Sequence, residues 1–181
     1  MKFPYRKIVV NPNIKEPCKI EDAYMVYPTN FTDWITLPFS ATDMDDVLTY
    51  REPSKEPTDP TDYEAWKNYY LTRKAKIKPS GEIYAIISGR WKTDYYVTVK
   101  WLERNGIKFR ALYLVGNQHE KPSLSKAKKI KELGIKLYLE SDYQDALEIS
   151  KNCPETVVLA LETTQFIHQG KVLDKKLVME V

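Results

Sequence analysis

The chain has few of the features that would assign it to a specialised class of protein. Its 181 residues include only two cysteines, Cys18 and Cys153, which are far apart and have no metal-type spacing. A disulfide framework is therefore not expected, and a reducing compartment is the default. No stretch approaches the roughly 18 apolar residues that a membrane span needs, and the N-terminus leads into no apolar run of signal-peptide length. We expect a cytoplasmic protein with no membrane partner.

Charge of one sign is also lacking. There are 28 basic and 25 acidic residues, which gives a formal net charge of +3. This near balance neither requires nor excludes a phosphate-rich partner. The apolar content of 43% is sufficient for a real core, and the length suits one globular domain with an appendage.

From about residue 81 onward, short apolar runs alternate with charged segments of helical period. This alternation is typical of βαβ units and predicts an α/β fold with a parallel sheet. The predicted strands cover residues 83–87, 111–115, 136–139 and 156–160. Between them we predict helices over residues 94–105, from an N-cap at Ser123 to 133–134, and over 143–150.

In the helix predicted over 94–105, the inward side chains are expected to be Tyr96, Val99, Trp101 and Leu102. Upstream, a strand over 37–42 ends on an acidic cluster, the proline-rich stretch 52–60 is a loop, and aromatic spacing predicts a helix over 62–75.

Residues 1–36 fit the βα repeat poorly and are interpreted as an N-terminal extension that packs on one edge or mediates assembly. They hold predicted strands at 7–10 and 23–27. Residues 37–162 form the α/β core, with a minimal cap around 49–80. Residues 163–181 form a tail with a hairpin that turns near Gly170.

Polar side chains follow the predicted strands at the edge where functional groups of parallel sheets collect. Asp43 and Asp45 follow the first core strand, Ser88 follows the second, Lys126 opens the helix after the third, and residues 140–142 follow the fourth. Each of these residues also has a purely structural explanation: it could be a turn residue, a surface lysine or a helix cap. Their coincidence points to phosphoryl transfer, which needs a carboxylate nucleophile, an acid and base, a cation and carboxylates for magnesium.

Over roughly residues 37–160, the chain resembles the haloacid dehalogenase-like superfamily. Its first motif, an apolar strand followed by Asp-x-Asp-x-Thr/Val-Leu, is matched by residues 39–48, where Asp46 replaces the common glycine. The second motif, a strand ending in Ser or Thr, is matched by residues 83–88, and Gly89 and Arg90 complete a Ser-Gly-Arg found in its phosphatases. The resemblance implies a three-layer, Rossmann-like fold.

The third motif's lysine is best matched by Lys126, with Lys121 as the alternative. The fourth motif usually has two acids or Gly-Asp directly after its strand. Here Glu140 is followed by a serine. In one alignment, Glu140 is the first acid and Asp145 is the trailing acid. In the other, the alignment shifts by one residue and Asp142 is the ligand.

The resemblance implies a phosphohydrolase with an aspartyl-phosphate intermediate. Asp43 would be the nucleophile and Asp45 the acid and base, while Ser88 and Lys126 would hold the phosphate oxygens and residues 89–90 would contact the substrate. The cofactor would be Mg²⁺, with Asp43, Asp45 through its backbone carbonyl, and Glu140 or Asp142 as ligands.

There is room for no more than a minimal cap, which in this family suits large substrates. The implied partner is a phosphorylated substrate, either a small molecule such as a nucleotide or a nucleic-acid end, since residues 88–114 also look like the phosphatase half of polynucleotide kinase-phosphatases. Self-association as a homo-oligomer is left open. The alternative function is a degenerate, non-catalytic binding or assembly module.

Overall fold

A computed structural model describes residues 3–14 and 20–181, so Cys18 lies outside the described residues. The strands are β1 (Lys7–Val10), β2 (Ala23–Val26), β3 (Ser40–Thr42), β4 (Ile83–Trp91), β5 (Phe109–Gly116), β6 (Leu137–Glu140), β7 (Val157–Ala160), β8 (Gln165–His168), β9 (Lys171–Val172) and β10 (Leu177–Glu180). The helices are α1 (Phe31–Trp34), α2 (Tyr63–Thr72), α3 (Tyr95–Arg104), α4 (Pro122–Leu133) and α5 (Tyr143–Asn152). Among the described residues, no helix is long and apolar enough to cross a membrane.

Seven strands form the central sheet in the order β5-β4-β3-β6-β7-β8-β9. The first five pair in parallel, and β8 and β9 continue the sheet in antiparallel pairing. The predicted α/β class with a parallel sheet is confirmed, and the architecture is compatible with a Rossmann-like fold. Strand β3 lies in the middle, with β4 on one side and β6 on the other.

The central sheet is covered on both faces. Helices α4 and α5 pack on one face through side chains such as Ile130 and Ile149, which lie against Tyr138 of β6. On the other face, α3 contributes Trp101 and Leu102 to a second apolar cluster. Burying both faces explains why the parallel strands are nearly continuous apolar runs in the sequence.

Part of that second face is covered by a small sheet in the order β10-β1-β2. Strand β1 is parallel to β2 and antiparallel to β10, which joins the N-terminal residues to the C-terminal strand. Val10, Val26 and Trp34 are fully buried in the same apolar cluster as the central sheet. The N-terminal residues thus share a core with the α/β unit and pack on its face.

The strand and helix predictions are largely confirmed, with differences at several ends. Strand β4 continues past residue 87 to Trp91, and α2 ends at Thr72, three residues before the predicted end. Helix α4 has Lys121 at the N-cap and Pro122 at its first position, so Ser123 is not the cap; proline suits this position because its missing N–H needs no partner there.

Two further local predictions had different outcomes. Tyr96 is 69% exposed, and the buried side of α3 holds Val97, Thr98 and Trp101. The prediction that Tyr96 faces inward is therefore wrong, since the buried side begins one residue later, at Val97. The hairpin at Gly170 is confirmed. Gln169 and Gly170 both have positive φ, 51° and 76°, as a two-residue type I′ turn requires.

Candidate functional site

The carboxyl ends of three neighbouring strands meet at one edge of the central sheet. Asp43 follows β3, Ser88 lies near the end of β4, and Glu140 ends β6. The chain runs outward from β3 to β4 and β5 and then crosses back to β6 on the opposite side of β3. Open parallel sheets bind ligands at such a switch point, because the connections leave in opposite directions and open a crevice.

Lys126 connects Asp43 and Glu140, and we call these three residues the lysine cluster. Its Nζ donates to Asp43 Oδ2 and to Glu140 Oε2, each at 3.0 Å. The lysine and both acids are buried, with the Asp43 side chain 6% exposed. The remaining oxygens are also engaged: Asp43 Oδ1 accepts from the N–H of Met44 at 2.7 Å, and Glu140 Oε1 accepts from the N–H of Ser141 at 2.9 Å.

The lysine cluster contains two acids and one base in a desolvated place. Burial alone would lower the pKa of Lys126, but the two carboxylates outweigh it and raise that pKa above its ordinary value. Burial, followed by the neighbouring Asp43 carboxylate, raises the pKa of Glu140 to about 8 against the lowering effect of Lys126. When both acids are ionised, the cluster therefore carries one excess negative charge.

Asp45 has the opposite surroundings, with Arg73 and Arg90 as partners, and we call these three residues the arginine cluster. Arg90 binds it in a bidentate manner, Nε to Oδ2 at 2.9 Å and Nη2 to Oδ1 at 2.7 Å, and Arg73 Nη1 donates to Oδ1 as well. Both arginines are buried, whereas the Asp45 side chain is 31% exposed. Although burial opposes it, the two guanidiniums hold the pKa of Asp45 below its ordinary value.

Arg90 is also held on its other sides. Its Nη1 donates to Thr98 Oγ1 at 3.0 Å, its guanidinium lies 4.0 Å from the centre of the Tyr70 ring, and its backbone N–H donates to Ser88 Oγ at 3.2 Å. Ser88 is fully buried. Arg90 therefore braces the loop that carries Asp45, and Ser88 braces the backbone of Arg90.

The loop after β3 turns at Asp46, which has a φ of 62°. This left-handed conformation favours glycine and, among residues with a side chain, Asn and Asp. Aspartate is therefore a residue type that can make this turn.

Gly89 lets the end of β4 approach the start of α4. A Cβ at this position would lie 2.8 Å from Pro122 Cβ and 3.7 Å from Lys126 Cε. The missing side chain allows α4 to come close enough for Lys126 to reach Asp43. Lys121, the alternative lysine, is exposed at the N-cap of this helix.

Asp142 acts as a helix cap. It is exposed at the N-cap of α5, where its carboxylate accepts from the N–H of Asp145 at 2.8 Å. Of the acids proposed from the fourth motif, Glu140 is the one that contacts Lys126, while Asp145 is partly buried and burial raises its pKa.

The lysine cluster fits a hard divalent cation in donor type. Asp43 and Glu140 supply carboxylate oxygens, and loss of the Glu140 proton adds a negative charge that attracts a cation. Within residues 3–14 and 20–181, no group of three or more His, Cys, Asp or Glu side chains is placed to share a metal ion. Magnesium commonly takes one or two carboxylates and completes its shell with water and substrate phosphate, so two suffice.

Sequence reasoning missed Arg73 and the role of Ser141. Arg73 follows α2 within a run of basic and polar residues that reads as solvent-exposed, and only the folded chain brings it back to Asp45. Ser141 donates to Glu140 through its N–H and also through its hydroxyl at 3.2 Å, so the serine that departs from the family's fourth motif supports the acid before it.

No family model matches the chain, and no curated protein sequence matches it.

Proposed function

We propose that the protein is a magnesium-dependent phosphomonoesterase of the haloacid dehalogenase-like superfamily with a minimal cap, acting through Asp43. One observation carries the proposal: Lys126 Nζ contacts both Asp43 and Glu140 at 3.0 Å although the three residues are far apart in the sequence. These are residues that the resemblance assigns to the nucleophile, the phosphate-binding cation and the metal acid.

In the first step, an Asp43 oxygen attacks the phosphorus of the ester. The new bond between Asp43 and phosphorus forms as the bond from phosphorus to the leaving oxygen breaks. Lys126 lies against Asp43 and is held in its charged form, so it offsets negative charge that spreads over the phosphoryl oxygens. The products are an aspartyl-phosphate and the leaving group as its oxyanion, which takes its proton from water.

In the second step, water attacks the aspartyl-phosphate and releases inorganic phosphate and the Asp43 carboxylate. Asp45 is the base that takes the proton from water, since the two arginines keep its carboxylate in the ionised form that can accept a proton. Protonation of the leaving oxygen in the first step requires Asp45 in its acid form, which the two arginines oppose. Esters with good leaving groups need this proton least and should be the fastest substrates.

Magnesium would be held by Asp43, the Asp45 backbone carbonyl and Glu140. It would supply charge neutralisation between the Asp43 carboxylate and the incoming phosphate. Glu140 is prepared for this role by Lys126 and Ser141, which fix the orientation of its carboxylate.

A second candidate is a non-catalytic binding module of the same fold. The contacts of Asp45 favour it, because a carboxylate that accepts from two buried arginines is held in place and disfavoured as an acid. The two candidates differ in whether the chain turns over any phosphate ester.

Hydrolysis of an aryl phosphate, measured with and without Mg²⁺, separates these candidates. We expect metal-dependent release of phosphate by the wild type and a loss of roughly 10³-fold or more in Asp43→Asn, since the nucleophile is removed. A covalent phosphoryl adduct on the wild type, detected by mass after acid quench, should be absent from the variant.

Asp174→Asn is the matched control, because it makes the same chemical change at an exposed residue outside the site. It should retain full activity. If wild-type protein releases no phosphate from the aryl ester or from a panel of nucleotides, sugar phosphates and 3′-phosphorylated oligonucleotides, the enzyme proposal is wrong and the binding module stands.

A further inference from the structure

An aromatic pocket opens beside the arginine cluster, between α2 and the segment that joins β4 to α3. It has a volume of about 360 Å³ and is lined by Pro60, Thr61, Tyr63, Trp66, Tyr70, Trp91, Thr93 and Asp94. Half of these residues are aromatic. Trp91 is 50% exposed and Tyr63 is 48% exposed, so two large rings present their surfaces to solvent in one concave place.

Hydrogen bonds hold the pocket's walls in position. The Tyr63 hydroxyl on α2 donates to the carbonyl of Thr93 at 3.0 Å and thereby links the two sides. Trp66 Nε1 donates to the carbonyl of Asp59 at 3.1 Å, which fixes the indole relative to the preceding loop. The pocket is therefore built by contacts that need no ligand.

The pocket is one side chain away from Asp45. Tyr70 lines the pocket, and the Arg90 guanidinium lies 4.0 Å from the centre of the Tyr70 ring. Arg90 in turn binds Asp45. Trp91 directly follows Arg90 in the chain. A ligand that enters the pocket thus lies next to the residues that brace the proposed reaction centre.

We propose that this pocket binds the base of a nucleoside phosphate whose phosphoryl group is held at Asp43. The inference rests on the proposed phosphatase function for the position of the phosphate. Flat aromatic rings offer π-faces for a base to stack on, and stacking tolerates any base. The volume suits a single base, and Thr61, Thr93 and Asp94 add polar atoms to the lining.

Tryptophan fluorescence reports this pocket selectively. Of the four tryptophans, Trp34 and Trp101 are fully buried in the core, which leaves Trp66 and Trp91 to respond to a ligand. In an Asp43→Asn background that prevents turnover, a nucleoside 5′-monophosphate should quench the fluorescence. Ribose 5-phosphate, which lacks the base, should not quench it and should bind roughly 10-fold more weakly by calorimetry.

Trp91→Ala should weaken binding of the nucleoside monophosphate roughly 10-fold, and Trp91→Phe should restore most of the affinity. The matched control is Tyr96→Ala, which removes an exposed aromatic side chain outside the pocket and should leave binding unchanged. A phosphorylated oligonucleotide provides a second arm: tighter binding than the mononucleotide would identify nucleic-acid ends as the source of the base, and equal binding would identify free nucleotides.

Equal affinity for ribose 5-phosphate and the nucleoside monophosphate would overturn the pocket assignment, as would equal losses in Trp91→Ala and Tyr96→Ala. Failure of the proposed function appears differently. If the wild type hydrolyses no phosphate ester but the base still quenches the fluorescence, the phosphatase proposal fails and the base pocket stands.

Discussion

Two charged clusters begin two residues apart in the same loop and have opposite compositions. The lysine cluster places Asp43 and Glu140 around one cation, and all three side chains are buried. The arginine cluster places Arg73 and Arg90 around Asp45, which remains partly exposed. Asp43 thus shares one buried cation with a second acid, whereas Asp45 accepts from two buried guanidiniums, one of which also contacts Asp46 at 3.4 Å.

The proposed function assigns separate tasks to the two acids. Asp43, which shares its cation with a second acid, would be the residue that reacts and that helps to hold the metal ion. Asp45 accepts three guanidinium hydrogen bonds and is held ionised, which suits a base and opposes an acid.

Removal of Lys126 should have the largest effect on stability. Lys126→Met leaves two buried acids without a cation, and at pH 9, above the pKa of about 8 of Glu140, we expect the free energy of unfolding to fall by about 3–5 kcal/mol. Urea denaturation in a chelating buffer measures this change in the free energy of unfolding. Adding Glu140→Gln to this variant should recover part of the loss; an unchanged loss would contradict the charge explanation.

Removal of Arg73 should cost less, because Arg90 continues to bind Asp45. For Arg73→Met we expect a loss of about 1–3 kcal/mol, which includes the hydrogen bonds from Arg73 to the carbonyl of Tyr50. Lys74→Met is the control at the next, exposed position and should change stability by less than about 0.5 kcal/mol. A loss in Arg73→Met as large as that in Lys126→Met would remove the contrast between the clusters.

The lysine cluster should also make stability depend on pH. Because the pKa of Glu140 rises from 4.5 to about 8 on folding, the folded chain keeps a proton that the unfolded chain has released. This contribution to stability is full below about pH 4.5 and is lost as pH rises through about 8, with a slope of at most about 1.4 kcal/mol per pH unit.

Urea denaturation at pH 5, 6, 7 and 8 in a chelating buffer tests this, with Glu140→Gln as the comparison. The wild type should lose more stability over this range than the variant does. Parallel pH profiles would mean that Glu140 is ionised throughout.

The smallest expected effect on stability concerns Asp46 in the loop after β3. At Asp46, where φ is 62°, Asp46→Ala should be less stable than Asp46→Gly by about 1 kcal/mol, since glycine adopts this conformation without strain. Thermal denaturation of the two variants gives the difference directly. Equal stabilities would show that the loop relaxes away from this conformation when the aspartate is replaced.

Much of the central sheet was predictable because its strands are buried on both faces and therefore appear as continuous apolar runs. The resemblance to the family's third motif selected Lys126 over Lys121, and Lys126 is the lysine that contacts Asp43. It could not tell that Asp142 would cap α5, because capping and metal binding use the same short acidic side chains. The phase of α3 at Tyr96 was misjudged because aromatic residues occur on both sides of that helix.

The sequence by itself determined the α/β class, the succession of strands and helices, and the placement of Asp43, Ser88 and Glu140 near strand ends, because apolar periodicity and strand ends are local properties. Only the tertiary structure decided which cation each acid receives. Arg73, Arg90 and Lys126 come from three different segments, and their partners depend on strand order and on the close approach of α4 at Gly89. Electrostatic pairing is a matter of distance in space, and distance is set when the sheet assembles.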